Sequence, residues 1–332
     1  MTPHGPALER LKGWPRRPLA SLPTRLVSAA NLSRYLGENA PEILVKMDAE
    51  TGLALGGNKL RKLEMELGGD RLAGVTHLIT TGGPQSNHCR MTAGAAAHLG
   101  LGCVLVINGS EPGVPRGNAL LHRLFGAEIR TVKSRDERAP AMERASMEIR
   151  EKGGKALVLP LGASTGLGAL GYALGALELA TQLSTLAAPG RTWIFVSASS
   201  CGTLAGLLLG LSLLGRRDAR LVGVSADVSA DDMWNETRRL ADEGARILEW
   251  AGPILEEILT CDDSQVGEGY GIPTEATHEA IALFGSHEGI VLDPVYTGKA
   301  AAGLLAWVRD GRVSAGERAV FVHTGGHPAL LA

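Results

Sequence analysis

The chain has 332 residues, 45% of them apolar and 20% charged, which is enough to bury more than one core. Its 33 basic and 35 acidic residues leave a net charge of −2 and are spread along the sequence, which excludes a basic surface for nucleic acid or an anionic membrane. Four scattered cysteines with no C-x-x-C pair argue against a zinc site or a disulfide framework and fit a reducing cytoplasm.

The opening "MTPHGPALERLKGWPRRP" carries charge and proline where an export signal needs an apolar core, so no export is expected. Strand-like runs then follow in order: "EILVKM", "THLITT", "CVLVIN", "EIRTV", "KALVLP", "TWIFVS", "RLVGVS", "EGIVL" and "RAVFVH". Helical stretches such as "NHCRMTAGAAAHL", "AMERASMEIREK", "GALGYALGALELATQL" and "AAAGLLAWVRDG" lie between most of them. Alternating strand and helix predicts an α/β protein, and continuously apolar strands predict parallel sheets covered on both faces. The longest apolar stretch, "LAGLLLGLSLLG", is too short to span a bilayer and reads as a buried helix. With no repeat or long linker, two units would require the chain to pass between them more than once, with boundaries near 62 and 161. In such folds ligands sit at the carboxyl ends of strands, so the glycine-rich turns that follow strands are where chemistry is sought.

The first such turn is "LALGGNKLRKLE". Gly56 and Gly57 make a tight turn, Asn58 is placed to cap a helix, and Lys59 and Lys62 then share one face in its first turns. A positively polarised helix start disfavours an ammonium, which suits Lys59 to act as a nucleophile or to form a Schiff base. The alternative is a solvated basic face. In "LITTGGPQSNHCRMTAGAAAHLG" a strand ends at Gly82 and Gly83, and Gln85, Ser86, Asn87 and His88 open an alanine-rich helix. Free amides and small polar side chains there make a carboxylate pocket; Ser86 or Asn87 can equally be only a cap.

In "WIFVSASSCGTLAGLLLG" the residues Ser197, Ser199, Ser200, Gly202 and Thr203 follow a strand and open an apolar helix, the arrangement of a phosphate cradle without the lysine of a nucleotide loop. Cys201 reads as a small buried filler. Near the end, Tyr270 and Tyr296 fall in glycine-flanked loops where a phenol can reach a ligand. His323 and His327 are four apart, but Gly325 and Gly326 between them spoil a helical metal pair, so no metal is expected. "GLGALG", with Gly166, Gly168 and Gly171, has the spacing of a dinucleotide turn and offers an NAD-dependent alternative. The acidic residue that should follow about 20 positions on is missing, which weakens it.

Taken in order, "GLALGGNKLRKLE", "TTGGPQSNHCR", "GALGYALGALEL", "GEGYGIPTEAT", "LDPVYTGKAAAGL" and "HTGGHPAL" resemble a family of pyridoxal-phosphate enzymes, the one containing 1-aminocyclopropane-1-carboxylate deaminase and D-cysteine desulfhydrase. The resemblance runs from about residue 15 to the end. It implies a fold similar to the tryptophan synthase β-subunit: two doubly wound parallel-sheet α/β/α domains with pyridoxal 5'-phosphate in the cleft. The large domain would be 1–62 and 161–332, the small inserted one 63–160. A homodimer is also implied.

By the same resemblance Lys59 would bind the cofactor covalently, with Lys62 as the alternative, and its basic neighbours would keep it deprotonated. Asn87 would meet the cofactor's phenolic oxygen, and Ser86 with nearby amides would hold the substrate carboxylate. Ser199, Ser200, Cys201, Gly202 and Thr203 would receive the phosphate, although "SASSCGT" departs from the family's glycine-richer loop. Tyr270 and Tyr296 match two active-site tyrosines. Where the deaminases carry glutamate and leucine this chain has Thr297 and Thr324, and His88 replaces their glutamine. Hydroxyls at the pyridine nitrogen imply a milder electron sink and α,β-elimination from a small β-substituted amino acid, with D-cysteine first. L-Cysteate, D-serine and β-chloroalanine stay open as substrates, and cyclopropane opening as a rival reaction.

Overall fold

"TWIFVSA" becomes a central strand of the larger sheet because both of its faces find apolar cover. Ile194 and Val196 point into one buried cluster and Phe195 into another, the period-two alternation of a strand covered on both sides. The computed structural model describes residues 5–109, 113–187 and 190–332. The loop after "CVLVIN" falls partly outside them.

The first half of the chain forms α1 (Gly5–Lys12), β1 (Leu26–Ser28), α2 (Ala30–Leu36), β2 (Glu42–Lys46), α3 (Lys59–Glu66), β3 (His77–Gly82), α4 (Asn87–His98) and β4 (Gly102–Asn108). Then come α5 (Gly117–Leu124), β5 (Glu128–Val132), α6 (Arg138–Glu151), β6 (Ala156–Val158), α7 (Gly166–Leu183), β7 (Thr192–Ala198) and α8 (Gly202–Leu213). The remainder is β8 (Ala219–Ser225), α9 (Ala230–Ile247), β9 (Leu259–Asp262), α10 (Glu275–Glu288), α11 (Thr297–Arg309), β10 (Arg318–Val322) and α12 (His327–Leu330).

Six strands make one sheet in the order β1-β2-β10-β7-β8-β9, and four make another in the order β5-β4-β3-β6. All pairings are parallel except that of the edge strand β1 with β2. The larger sheet is covered by α7, α8 and α9 on one face and by α2, α10 and α11 on the other. The smaller sheet packs α3 and α4 on one face and α6 on the other. This is the doubly wound α/β/α arrangement expected.

"EGIVL" is not a strand. Gly289 takes a left-handed conformation that ends α10, and Ile290 and Leu292 plug the cluster under α10 and α11, so their apolar character serves a helix layer rather than a ladder. The short strands β1 and β9 carry too few apolar residues to stand out in the sequence. All but the last two residues of "LAGLLLGLSLLG" lie in α8, every residue of which is buried, and no helix among the described residues is long and apolar enough to cross a membrane.

Candidate active site

One cavity lies where the carboxyl ends of strands from both sheets meet. It is lined by Gly82 at the end of β3 and Gly83 after it, Ser197 and Ala198 of β7, Asp227 after β8 and Thr324 after β10. The starts of three helices open into it: Lys59 of α3, Asn87 and His88 of α4, and Gly202 and Thr203 of α8. The first amides of a helix have no carbonyl of their own helix to satisfy, so α4 and α8 present donors and positive polarity to whatever enters.

The three basic residues of "NKLRK" take different surroundings. Lys59 lines the cavity, and loss of water lowers its pKa from 10.5 to about 8. Arg61 turns the other way, bonding Asp48 through Nε and Nη2 at 3.0 and 2.9 Å and Glu178 at 2.8 Å. Lys62 is fully buried and donates to Ser164 Oγ at 2.9 Å. Burial, then the neighbouring Lys59, drives its pKa well below the ordinary value. The hydrogen bond between the two lysines raises Lys59, so the expectation that basic neighbours keep Lys59 deprotonated is corrected: the lowering comes from desolvation and works against that bond. Asn58 makes no side-chain cap either; its Nδ2 crosses to Thr203 Oγ1 at 2.9 Å and ties the start of α3 to that of α8.

Ser86 caps α4 by accepting from the Cys89 amide at 3.2 Å. Asn87 Oδ1 accepts from Asn118 Nδ2 at 2.8 Å, which turns the amide NH2 toward the cavity. Thr80 donates its only hydroxyl hydrogen to the Leu159 carbonyl, so it accepts from His88 Nε2 at 2.8 Å, and His88 Nδ1 is left as a buried lone pair without a partner. Burial, with Lys59 and Lys62 nearby, pushes the His88 pKa well down, so the ring is neutral.

Ser200 accepts from Ser164 at 2.8 Å, and Cys201 adopts φ 56° at the cap of α8. Burial raises the Cys201 thiol to about 11, so it is no thiolate. A Cβ on Gly202 would stand 2.7 Å from Ser164 Oγ and 2.9 Å from Lys62 Nζ, so only glycine lets the backbone come this close. Across the cavity the Tyr270 and Tyr296 hydroxyls meet at 2.6 Å. Burial raises both phenols, so both stay protonated.

Of the residues singled out from the sequence, Asn58, Lys59, Ser86, Asn87, His88, Ser199, Ser200, Cys201, Gly202, Thr203, Tyr270, Tyr296 and Thr324 share this cavity. Thr297 does not. Its hydroxyl donates to Asp293 Oδ1 at 2.6 Å and accepts from the Asp293 amide at 2.7 Å, closing the start of α11. Only Thr324 of the two threonines reaches the cavity, and it meets Ser197 Oγ at 3.3 Å. His323 and His327 meet each other at 3.3 Å behind it.

The glycines of "GLGALG" belong to packing: a Cβ on Gly171 would stand 2.0 Å from the Arg61 carbonyl, and one on Gly168 2.2 Å from that of Ala163. Reading the sequence missed Arg135, Arg138 and Asp227, all in the cavity wall, and Asn118, which orients Asn87. Arg135 and Asp227 follow strands in loops without glycine and Arg138 opens a helix, so no glycine-rich turn marks them.

An anion cradle at the start of α8 and, at Lys59, an amine whose pKa burial lowers to about 8 fit a group carrying a phosphate and an aldehyde. The family model described as "Pyridoxal-phosphate dependent enzyme" matches residues 18–325. Curated relatives include D-cysteine desulfhydrases of Salmonella choleraesuis (strain SC-B67) and Salmonella paratyphi B (strain ATCC BAA-1250 / SPB7), each 37% identical over 98% of both chains. Among solved structures, an ACC deaminase homologue superposes with a TM-score of 0.88 at 36% identity, covering 98% of this chain and 96% of that one. Threonine deaminase isoform 2 from Solanum lycopersicum shares the fold alone, with a TM-score of 0.65 at 16% identity over 97% and 89% of the two chains.

Proposed function

The chain belongs to the pyridoxal-phosphate-dependent enzymes, and from that premise we propose that it is a lyase converting a small β-substituted amino acid, D-cysteine foremost, to pyruvate. With water as co-reactant, D-cysteine yields pyruvate, ammonia and hydrogen sulfide. The observation that carries this reading is Lys59, an amine whose pKa burial lowers to about 8, in one cavity with two helix starts and a pair of protonated phenols.

Pyridoxal phosphate, when bound, supplies an aldehyde that takes up amines and a ring that draws electrons away from the substrate's Cα. Ser199, Ser200, Gly202 and Thr203 would hold its phosphate at the start of α8, where Asn58 fixes the Thr203 hydroxyl. The NH2 of Asn87, turned inward by Asn118, would meet the phenolic oxygen. Thr324 would offer the ring nitrogen a hydroxyl rather than a carboxylate; Asp227, the one acidic residue in the wall among those described, is paired with Arg135 at 3.7 Å. That favours loss of a good leaving group over opening of a cyclopropane. The Ser86 cap and the free amides of α4 would take the substrate carboxylate.

Lys59 Nζ then removes the Cα proton once it has given up its own, which a pKa of about 8 makes easier than for free lysine. The Cβ–S bond breaks with its electron pair on sulfur. Tyr270 and Tyr296, each holding its proton near neutral pH, are placed to hand one to the departing group. We further propose that 63–160 forms the smaller unit, consistent with a four-stranded sheet drawn from residues 77–158. The enzyme would be a cytoplasmic homodimer, in keeping with four free cysteines and the family likeness.

The test is a panel of D- and L-β-substituted amino acids assayed for pyruvate. Wild-type enzyme should turn over D-cysteine, and Lys59→Ala should fall by a factor of about 10³ or more. Wild-type silence across the panel would discard the elimination.

A further inference from the structure

The Tyr270 and Tyr296 hydroxyls meet at 2.6 Å, yet the two phenols are held in different ways. Tyr296 stands immediately before α11, and its amide donates to Asp293 Oδ2 at 2.9 Å. Tyr270 lies in the loop between β9 and α10, flanked by Gly269 at φ 139° and Gly271 at φ 79°. A Cβ on either glycine would meet nothing within 4 Å, so the backbone on both sides of Tyr270 is unpacked. Such a stretch opens at little cost unless something outside it holds it.

Lys299, the third residue of α11, reaches that loop. It is buried, and Nζ donates to the carbonyls of Val266 at 2.7 Å and Gly269 at 2.9 Å in the loop and of Ala226 at 3.2 Å after β8. Three acceptors ask for three hydrogens, which an ammonium has and a neutral amine lacks. Burial lowers the Lys299 pKa, and the charge of Asp227 works the other way. A cation in the first turn of a helix faces the positive end of the dipole, so α11 itself does not favour this lysine; the carbonyls do. One side chain thus ties together three segments of the cavity wall: the helix start after Tyr296, the turn before Asp227 and the loop that ends in Tyr270. We propose that Lys299 is a positioning residue for the elimination, clamping Val266 and Gly269 to the start of α11 so that the Tyr270 phenol stays where its proton reaches the departing group. This rests on the β-elimination reading and deepens it. Lys299 does not line the cavity and acts through Tyr270.

Hydrosulfide leaves more readily with a proton, whereas chloride leaves without one, so loss of the clamp should fall on the first and spare the second. Holoenzyme is assayed for pyruvate with D-cysteine and with β-chloroalanine. In Lys299→Ala the ratio of kcat for D-cysteine to kcat for β-chloroalanine should fall about tenfold or more. Tyr270→Phe should lower the same ratio, and adding Lys299→Ala to it should lower it no further, because the phenol that the clamp positions is already gone. Independently, hydrogen exchange read by mass spectrometry should show the amides of 263–272 exchanging about tenfold faster in Lys299→Ala than in the wild type, while those of β7 keep their rate. Equal losses with both substrates, a further fall of the ratio in the double variant, or unchanged exchange at 263–272 would overturn the assignment. Should Lys299→Ala fail to fold, Lys299→Gln, which keeps two hydrogens to donate, takes its place in every comparison. If neither substrate gives pyruvate, the elimination reading falls, while the exchange still decides whether Lys299 holds the loop.

Discussion

An ammonium that loses water to a half-closed cavity, and gains no carboxylate in exchange, gives up its proton early. At Lys59 this brings the pKa from 10.5 to about 8. Lys62 is buried more deeply and pushed lower, so of the two it is the neutral amine that accepts a hydrogen bond, and the bond holds the proton on Lys59. The sign of a prediction follows. A neutral amine attacks an aldehyde, so the rate at which apoenzyme takes up pyridoxal phosphate should rise with pH through a midpoint near 8 and then level. Lys62→Met removes the acceptor and should move that midpoint down, even though it deletes a basic neighbour. Stopped-flow absorbance between about pH 6 and about pH 10 reads both. A wild-type midpoint near that of free lysine, or an upward move in the variant, contradicts the desolvation account. The sequence made Lys59 legible through its glycine turn, but not the separate directions of Arg61 and Lys62, which depend on Asp48, Glu178 and Ser164 far along the chain.

Glycine spacing misleads at the scale of an element because a turn glycine and a helix-packing glycine look alike in one dimension. "GLGALG" has the spacing of a nucleotide turn, yet what Gly171 answers is the backbone of α3: the missing Cβ leaves room for the Arg61 carbonyl at 2.0 Å and the Lys62 amide at 3.1 Å. Backbone cannot swing aside as a side chain can. Gly171→Ala should therefore cost about 1–3 kcal/mol or more and push α3 from α7, lowering kcat because Lys59 begins α3. Gly175→Ala, one turn on, makes the comparison. Its Cβ would meet Tyr172 at 3.4 Å and Arg61 at 3.7 Å, ordinary contacts, and the helix gains up to about 1 kcal/mol from alanine. Urea melts of the two variants should bracket the wild type; equal destabilisation by both would show that the α3–α7 approach is not the constraint.

Over the whole molecule, alternating strands and helices made the α/β class legible, since a strand covered on both faces must be apolar throughout. "EGIVL" broke that inference, as burial under two helices asks for the same residues as burial in a sheet. The site was legible where chemistry needs glycine and small hydroxyls at a strand end. It was not at Arg138 or Asp227, because a charged loop reads the same whether it faces solvent or a cleft.

What joins the two sheets is carried largely by α3. Leu60, Leu63 and Leu67 belong to the core of the smaller sheet, while Arg61 on the opposite face is held by Asp48 and Glu178 beside the larger one. Removing one partner from so buried a pair costs about 3–5 kcal/mol, so neither half is expected to release the helix alone. The five tryptophans, Trp14, Trp193, Trp234, Trp250 and Trp307, all lie outside residues 77–158, so their fluorescence follows the six-stranded half, whereas far-ultraviolet circular dichroism follows both. In urea the two signals should fall together. Leu63→Ala, which empties part of the smaller core, should shift both curves to lower urea by the equivalent of about 2–5 kcal/mol. Were the smaller half independent, the dichroism would move in this variant while the fluorescence midpoint stayed in place, and α3 would be a spacer rather than a coupling element.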